Sequence, residues 1–95
     1  MSYYVYILAS KLHGTLYIGV TGDLIKPVYE HGTNAVPGFT ARHGVHDLVY
    51  FKMTENVEAA IQREKRLKKW PRDWKTNLIA RINPDWHDLY PGPTQ

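Results

Sequence analysis

Two short runs of aromatic and β-branched residues near the start of the chain constrain its fold more than any other feature. The runs are Tyr3–Leu8 and Thr15–Val20, and the six residues Ala9–Gly14 separate them. Residues of these types favour strands, and so short a connection joins two strands antiparallel, as a hairpin. A third run of the same kind, Leu48–Met53, predicts one more strand.

Apolar residues recur at helical spacing in three further segments. The first runs from about Asp23 to His31, the second from Asn56 to Trp70 and the third from Pro71 to Ile82. Thr54 or Asn56 is expected to cap the second helix, and Pro71 suits the first position of the third. Residues 32–47 show no sustained period, which predicts a long functional loop before the third strand.

The elements follow one another in the order β-β-α-β-α-α, which indicates an α+β domain. A chain of 95 residues is long enough for one domain with a modest core and too short for several domains. We expect this domain to span residues 1–89. Residues 90–95, with two prolines and a glycine, are expected to form a flexible tail.

The chain contains no cysteine, which excludes a disulfide framework, a cysteine-ligated zinc site and thiol catalysis. Any metal must therefore bind oxygen or imidazole ligands. His43 and His46 lie close together in the loop, where a zinc site, a DNA contact and plain loop polarity are alternatives. Neither a long apolar run nor an export leader occurs, so we expect no membrane association and a cytoplasmic location.

Positive charge is concentrated in one segment of a chain whose net charge is +3. Residues 62–75 hold seven basic residues against two acidic ones. Such a concentration is typical of a surface that meets phosphate groups, and a solvated basic helix is the alternative. Three tryptophans beside it would stack on bases or belong to the core. These tryptophans are Trp70, Trp74 and Trp86.

Glu64 occupies an unusual position in the second predicted helix. On a helical wheel it falls between Val57, Ala60 and Ile61, within the apolar face. Burying a lone carboxylate is costly, so Glu64 must be paired, protonated or bound to a metal. A structural role, with an Arg or Tyr as the partner, is the alternative to a metal site.

The hairpin strands carry more tyrosines than a small core needs. Tyr4 and Tyr6 are expected on one face of the sheet and Tyr3 on the other, and Tyr17 comes from the second strand. Phenols beside a carboxylate and a basic helix suit metal-assisted phosphate chemistry, because a phenol can relay a proton from water. Tyrosine is also a common strand residue, so a purely structural role is the alternative.

The order and spacing of these motifs resemble the GIY-YIG domain, most closely its small single-domain bacterial branch, over about Ser2 to Leu89. The first motif departs mildly, with Tyr4 in place of Gly and Val5 in place of Ile. The matching segments are Tyr4-Val5-Tyr6, Tyr17-Ile18-Gly19, Thr21-Gly22-Asp23-Leu24, Tyr29-Glu30-His31, Gly38–Arg42, Leu48–Phe51 and Ala60–Lys68.

The resemblance implies a three-stranded antiparallel sheet flanked by three helices. It also implies a metal-dependent endonuclease that hydrolyses phosphodiester bonds in DNA, with RNA as the alternative substrate. One divalent ion, Mg²⁺ or Mn²⁺, would serve the reaction, as in intron-homing endonucleases and the incision subunit of bacterial excision repair.

Carried over residue by residue, the resemblance makes Glu64 the metal ligand, in agreement with its position on the wheel. Tyr6 and Tyr17 would flank the attacking water, one of them as general base or base relay. His31 would bind the phosphate or assist proton transfer.

The basic segment and the loop would supply the nucleic-acid contacts. The residues expected to make them are Arg42, His43, Arg63, Lys65, Arg66, Lys68 and Lys69. Family members also carry an Asn after the metal-binding helix, and either Asn77 or Asn83 corresponds to it.

Pro27 stands where the family has a phosphate-stabilising arginine. Proline supplies neither charge nor donor, so activity is expected to be impaired unless another cation, such as Lys26, replaces the arginine. Three explanations stay open: a degenerate nuclease that still binds nucleic acid through residues 62–75, a rewired active nuclease, and a variant chain.

Overall fold

The fold is described from a computed structural model, which describes residues 2–22 and 47–89. The predicted helix Asp23–His31, almost all of the predicted loop and the tail 90–95 lie outside the described residues. The α+β class that the sequence predicted is confirmed, with three antiparallel strands and two helices in the described part of the chain.

Three strands form one sheet in which the first strand is central. β1 covers Tyr3–Ala9, β2 covers Leu16–Thr21 and β3 covers Asp47–Thr54. The order is β2-β1-β3, and both pairings are antiparallel. The predicted hairpin and third strand are therefore confirmed, with bounds that differ by about one residue. Because β1 has a neighbour on each side, its residues from Val5 to Ala9 are all buried.

The turn between β1 and β2 is held by hydrogen bonds within the turn and by hydrogen bonds from a distant arginine. Ser10 and Thr15 close it, since the Ser10 N–H donates to the Thr15 carbonyl and the Ser10 hydroxyl accepts from the Thr15 N–H, each at 3.0 Å. Arg72, far along the chain, donates its guanidinium to the carbonyls of His13 and Gly14. The hairpin is thus held in place by the C-terminal half of the chain.

β3 contains a bulge that changes which side chains face the helices. Ile7 pairs with Tyr50 and the next residue, Leu8, pairs with Leu48. Val49 is therefore the extra residue of the bulge. A bulge interrupts the alternation of side chains. Val49 and Tyr50 consequently belong to the same buried cluster, whereas Leu48 lies on the opposite face.

The first described helix, α1, spans Val57–Lys69. Asn56, and not Thr54, is its N-cap: its side chain accepts from the N–H groups of Glu58 at 2.7 Å and Ala59 at 3.2 Å. Thr54 instead donates its hydroxyl to the Asn56 carbonyl at 3.0 Å. An N-cap of this kind satisfies N–H groups that have no partner within the helix.

The second described helix, α2, spans Arg72–Ile82. The prediction that Pro71 is its first residue is wrong by one position, because Pro71 is the N-cap, with an extended ψ of 152°. The predicted end of the helix is confirmed, since Asn83 is its C-cap.

Both faces of the sheet carry buried side chains. The helix-side core lies between the sheet and the helices and contains Val5, Ile7, Ala9, Ile18, Val49, Tyr50, Ala60, Leu67, Ile79 and Trp86. A smaller cluster on the opposite face contains Tyr6, Leu8 and Leu48, with Tyr4, Tyr17 and Leu89 packed against it. Tyr4 and Tyr6 thus share a face and Tyr3 packs on the other, as predicted.

The segment after α2 runs back along β3. The Asn83 amide donates to the carbonyls of Val49 at 3.3 Å and His87 at 2.7 Å, and its oxygen accepts from the His87 N–H. The backbone of Leu48 forms two hydrogen bonds with this segment. Its N–H donates to the Asp88 carboxylate, and its carbonyl accepts from the Leu89 N–H. Within residues 2–22 and 47–89, neither helix is long and apolar enough to cross a membrane.

Candidate active site

Tyr6 projects from the central strand over the neighbouring strand β2. Its partner there is Gly19, and a Cβ at position 19 would lie 2.6 Å from the Tyr6 hydroxyl oxygen and 2.7 Å from its Cζ. Any side chain at position 19 would therefore collide with the phenol. The glycine of the second motif has a direct steric purpose, which is to let the Tyr6 ring lie against the backbone of β2.

Tyr17 lies beside Tyr6 on the same face of the sheet. It pairs with Leu8, two residues along β1 from Tyr6, and side chains two residues apart on a strand share a face. The two ring centroids are 6.3 Å apart and the rings are tilted by 37°. The structure thus brings together the two phenols that the sequence predicted at the reaction centre. Tyr6 is buried and Tyr17 is half-buried.

Electrostatics connect these phenols with Glu64. Burial raises the pKa of the Tyr6 phenol well above its ordinary value, and the nearby Tyr17 and Glu64 side chains raise it further. Tyr6 therefore stays neutral to a higher pH than an exposed phenol does, and a neutral phenol can donate a hydrogen bond. The Glu64 carboxylate therefore lies close enough to act on the Tyr6 phenol.

Glu64 lies at the edge of the buried face of α1. The prediction that Val57 and Ile61 surround it in an apolar face is wrong, because both are exposed and α1 packs through Ala60 and Leu67. The Glu64 side chain is 21% exposed, and its carboxylate lies 3.2 Å from the ammonium of Lys68. The carboxylate is thus paired, with a lysine one turn later in place of the expected Arg or Tyr.

Arg63, one of the residues expected to contact nucleic acid, is only partly exposed. Its guanidinium donates to the hydroxyl of Tyr50, a buried residue of the helix-side core, at 3.0 Å. Its Nε is buried and finds no hydrogen-bond partner among the described residues. The remaining described cations of the predicted nucleic-acid surface are exposed, as expected for that role. They are Lys65, Arg66, Lys68 and Lys69.

An open cavity of about 350 Å³ adjoins Tyr17. Besides Tyr17, its walls are Leu16 and Ile18 from β2, Lys68 from α1 and Lys75 from α2. Sequence reasoning counted Lys75 in the basic segment without assigning it to a site, because three separate elements have to meet to form the cavity. No local signal points to this pair, because the two lysines lie on different helices.

Several predicted site residues lie outside the described residues. They are Lys26, Pro27, His31, Arg42, His43 and His46. Of the two candidates for the family Asn, Asn83 is buried and bonded to the backbone, whereas Asn77 is exposed on α2.

A divalent ion would find one suitable carboxylate at this site. The described residues contain no cluster of three or more acidic, imidazole or thiol groups that could hold a metal. Magnesium often binds one or two protein carboxylates and completes its shell with water and substrate phosphates. The partly exposed Glu64 fits such a role, provided that Lys68 moves away from its carboxylate.

Comparison with known proteins supplies the family. Residues 2–77 match the GIY-YIG catalytic domain. A UPF0213 protein of Clostridium perfringens is 39% identical over 77 residues, which cover 81% of this chain and 82% of the relative. A UPF0213 protein of Natronomonas pharaonis is 33% identical over 78 residues, covering 82% and 91%. The solution NMR structure of a UPF0213 protein from Bacillus halodurans aligns over 93% of each chain with a TM-score of 0.58 and 26% identity. The chain therefore belongs to the GIY-YIG family, as its motifs predicted.

Proposed function

We propose that the chain is a divalent-metal-dependent endonuclease that hydrolyses phosphodiester bonds in DNA, with RNA as the alternative substrate. The observation that carries the proposal is the contact between the Tyr6 and Tyr17 rings, with centroids 6.3 Å apart, together with a Glu64 carboxylate close enough to raise the pKa of Tyr6. A nucleic-acid-binding surface alone has no need for two phenols beside a carboxylate, whereas phosphodiester hydrolysis uses both types of group.

Glu64 is the residue that would hold the ion, Mg²⁺ or Mn²⁺. When bound there, a divalent ion supplies Lewis-acid polarisation of the phosphate. Lys68 has to leave the Glu64 carboxylate for this to happen, and its position one turn along the helix lets the flexible side chain do so.

The two phenols take different parts in the proposal because their surroundings differ. Tyr6 is buried against the backbone of β2, so it is the phenol that orients its neighbours by donating a hydrogen bond. Tyr17 is half-buried, so its phenol is the more accessible of the two and is the one that contacts the attacking water. His31 and Lys26 are proposed to act on the phosphate, on the resemblance alone.

The exposed cations of α1 would hold the phosphate backbone of the substrate. Lys65, Arg66 and Lys69 are all exposed on this helix, where each can neutralise a phosphate. Arg63 is left out of this group because its side chain is only partly exposed and its guanidinium turns toward Tyr50 of the helix-side core.

A second candidate function is a nucleic-acid-binding module that does not cut. Two observations favour it: Pro27 stands where the family has an arginine, and Lys68 already neutralises Glu64. Such a module would bind without metal, and its affinity would fall steeply as salt is raised.

The test is cleavage of labelled single-stranded, duplex and branched DNA, and of RNA, with Mg²⁺ or Mn²⁺. The chain is compared with Glu64→Gln, with Pro27→Arg and with the matched control Glu58→Gln, an exposed glutamate of the same helix. We expect cutting by the chain and by Glu58→Gln, and none by Glu64→Gln.

Other outcomes decide between the two functions. If the chain binds DNA without cutting and Pro27→Arg cuts with added metal, the chain is a binding module on a nuclease scaffold. If Glu64→Gln cuts as fast as the chain does, the proposed role of Glu64 is wrong.

A further inference from the structure

The cavity beside Tyr17 has the size and the location of a ligand subsite. It lies at the outer edge of β2, which is an edge strand of the described sheet, and α1 and α2 close it from the helix side. Its volume of about 350 Å³ falls within the range of small-ligand sites, which begins at about 300 Å³.

Two ammonium groups line this cavity, and each has donors to spare. The Lys75 ammonium lies 3.4 Å from the main-chain carbonyl of Lys68, in the last turn of α1. The Lys68 ammonium contacts the Glu64 carboxylate. An ammonium carries three N–H donors, so each of these contacts leaves two for a further acceptor. Two cations beside one carboxylate make the rim of the cavity net positive, which favours an anionic ligand.

The floor of the cavity is apolar. Ile18 belongs to the helix-side core and Leu16 packs against it, and each also lines the cavity. A small inorganic anion has no apolar surface to bury against these side chains. A nucleotide can pack its sugar or base against them while the cations bind its phosphate.

The cavity is continuous with the candidate active site through two residues. Tyr17 belongs both to the phenol pair and to the cavity wall, and Lys68 contacts Glu64 while lining the cavity. We propose that Lys68 and Lys75 form a nucleotide subsite that binds the phosphate of the nucleotide next to the one being cut. The assignment of the ligand to a nucleic-acid strand rests on the proposed nuclease function.

The subsite also offers Lys68 a second anionic partner. When a divalent ion binds Glu64, the Lys68 ammonium can contact the phosphate of the nucleotide in the same cavity. The lysine pair thus links occupation of Glu64 to the binding of the adjacent nucleotide.

The test is a titration of the ¹⁵N-labelled chain with thymidine 5′-monophosphate in buffer with EDTA, followed by NMR. We expect saturable shifts at the amides of Leu16, Tyr17 and Ile18. Lys68→Gln and Lys75→Gln are each expected to weaken binding by about tenfold, the usual effect of losing one charge-assisted hydrogen bond. Lys52→Gln, an exposed lysine of β3 outside the cavity, is the matched control and should bind as the chain does.

Three further probes identify the ligand chemistry. Thymidine, without a phosphate, should bind at least tenfold more weakly, and so should inorganic phosphate, without a nucleoside. The dinucleotide pTpT should bind at least as well as the mononucleotide if the subsite takes part of a strand. Unchanged spectra of the variants in the absence of ligand show that they are folded.

Three results would overturn the proposal. They are equal weakening by Lys52→Gln and Lys75→Gln, equal binding of inorganic phosphate and the mononucleotide, and shifts confined to residues outside the cavity. Because the titration contains no metal and measures no cleavage, it gives an answer even if the chain cuts nothing. Loss of cutting with intact mononucleotide binding would refute the nuclease function and leave the subsite standing.

Discussion

The phenol of Tyr6 and the backbone of Gly19 occupy the same small region, and only the absence of a side chain at position 19 allows this. A Cβ there would lie 2.6 Å from the Tyr6 hydroxyl oxygen, inside any normal contact distance. The spacing between the first tyrosine motif and the glycine of the second is therefore a packing requirement as well as a family signature.

Gly19→Ala should destabilise the protein. An alanine in a strand is ordinarily no worse than glycine, but here its methyl group must push the Tyr6 ring aside, at a cost of about 1–3 kcal/mol in the free energy of unfolding. Urea denaturation measures it. Gly22→Ala is the matched control, because a Cβ there would meet only Tyr3 ring carbons at 3.8 and 3.9 Å. Equal effects of the two substitutions would contradict the steric explanation.

The stability of the protein at alkaline pH should depend on Tyr6. The unfolded phenol ionises near pH 10, whereas the folded protein holds Tyr6 neutral to higher pH. Its contribution is therefore fully present below about pH 10 and is lost as the pH rises, since the unfolded state then binds fewer protons. Tyr6→Phe should make the decline shallower, by a slope that approaches about 1.4 kcal/mol per pH unit as the pH rises above 10. Urea denaturation from pH 9 to 11 tests this, and parallel profiles would disprove it.

Asn83 should be a structural residue and Asn77 should not. Asn83→Ala removes a buried amide that bonds to the backbone of Val49 and His87, and it leaves those groups without their partner. We expect the free energy of unfolding to fall by about 1–3 kcal/mol. Asn77→Ala, at an exposed position of α2, should change it by no more than about 0.5 kcal/mol. If Asn77→Ala abolishes cleavage with unchanged stability, Asn77 fills the family position.

Arg63 and Lys65 are neighbours in the chain and should behave differently in DNA binding. Lys65→Gln should lower the slope of log affinity against log salt by about one, because one phosphate contact is lost. Arg63→Gln should leave that slope unchanged and reduce stability, because it removes the contact with Tyr50. Fluorescence anisotropy at several salt concentrations, with thermal unfolding of each variant, separates the two effects. A change of slope in Arg63→Gln would show that its guanidinium reaches the nucleic acid.

Lys68 should compete with a divalent ion for Glu64. Lys68→Gln removes the ammonium that lies 3.2 Å from the carboxylate, so Mn²⁺ should bind several-fold more tightly, as measured by water proton relaxation. Lys69→Gln changes the net charge equally from an exposed position on the same helix and is the control. Equal gains in the two variants would mean that net charge, and not direct competition, sets the affinity.

Local pattern was enough to predict the elements but not their packing. The hairpin, β3 and both described helices follow from residues close together in the chain, such as the Asn56 cap. Trp74 and Ile82, in contrast, are 53% and 62% exposed although they have the spacing of an apolar face. The sheet covers only some of the apolar residues that share one face of α2. Residues close together in the sequence do not determine which of them become buried.

The candidate site shows the same division. The tyrosines and Glu64 were predicted because their residue types and motif order are unusual. The pairing of Glu64 with Lys68 was available from their spacing of four, since such residues are neighbours on a helix. The contact of Arg63 with Tyr50 was not, because it depends on how α1 is turned against β3.

The bond from Arg72 to the turn at His13 and Gly14 has a consequence for biosynthesis. Arg72 lies 58 residues or more after the turn in the sequence. The second edge of the central strand β1 is likewise paired only when β3 has been synthesised. Contacts so distant in sequence slow folding, because a large loop must close first. While Arg72 is still inside the ribosome the hairpin is therefore unanchored, and it can be fixed in place only after the second described helix has emerged.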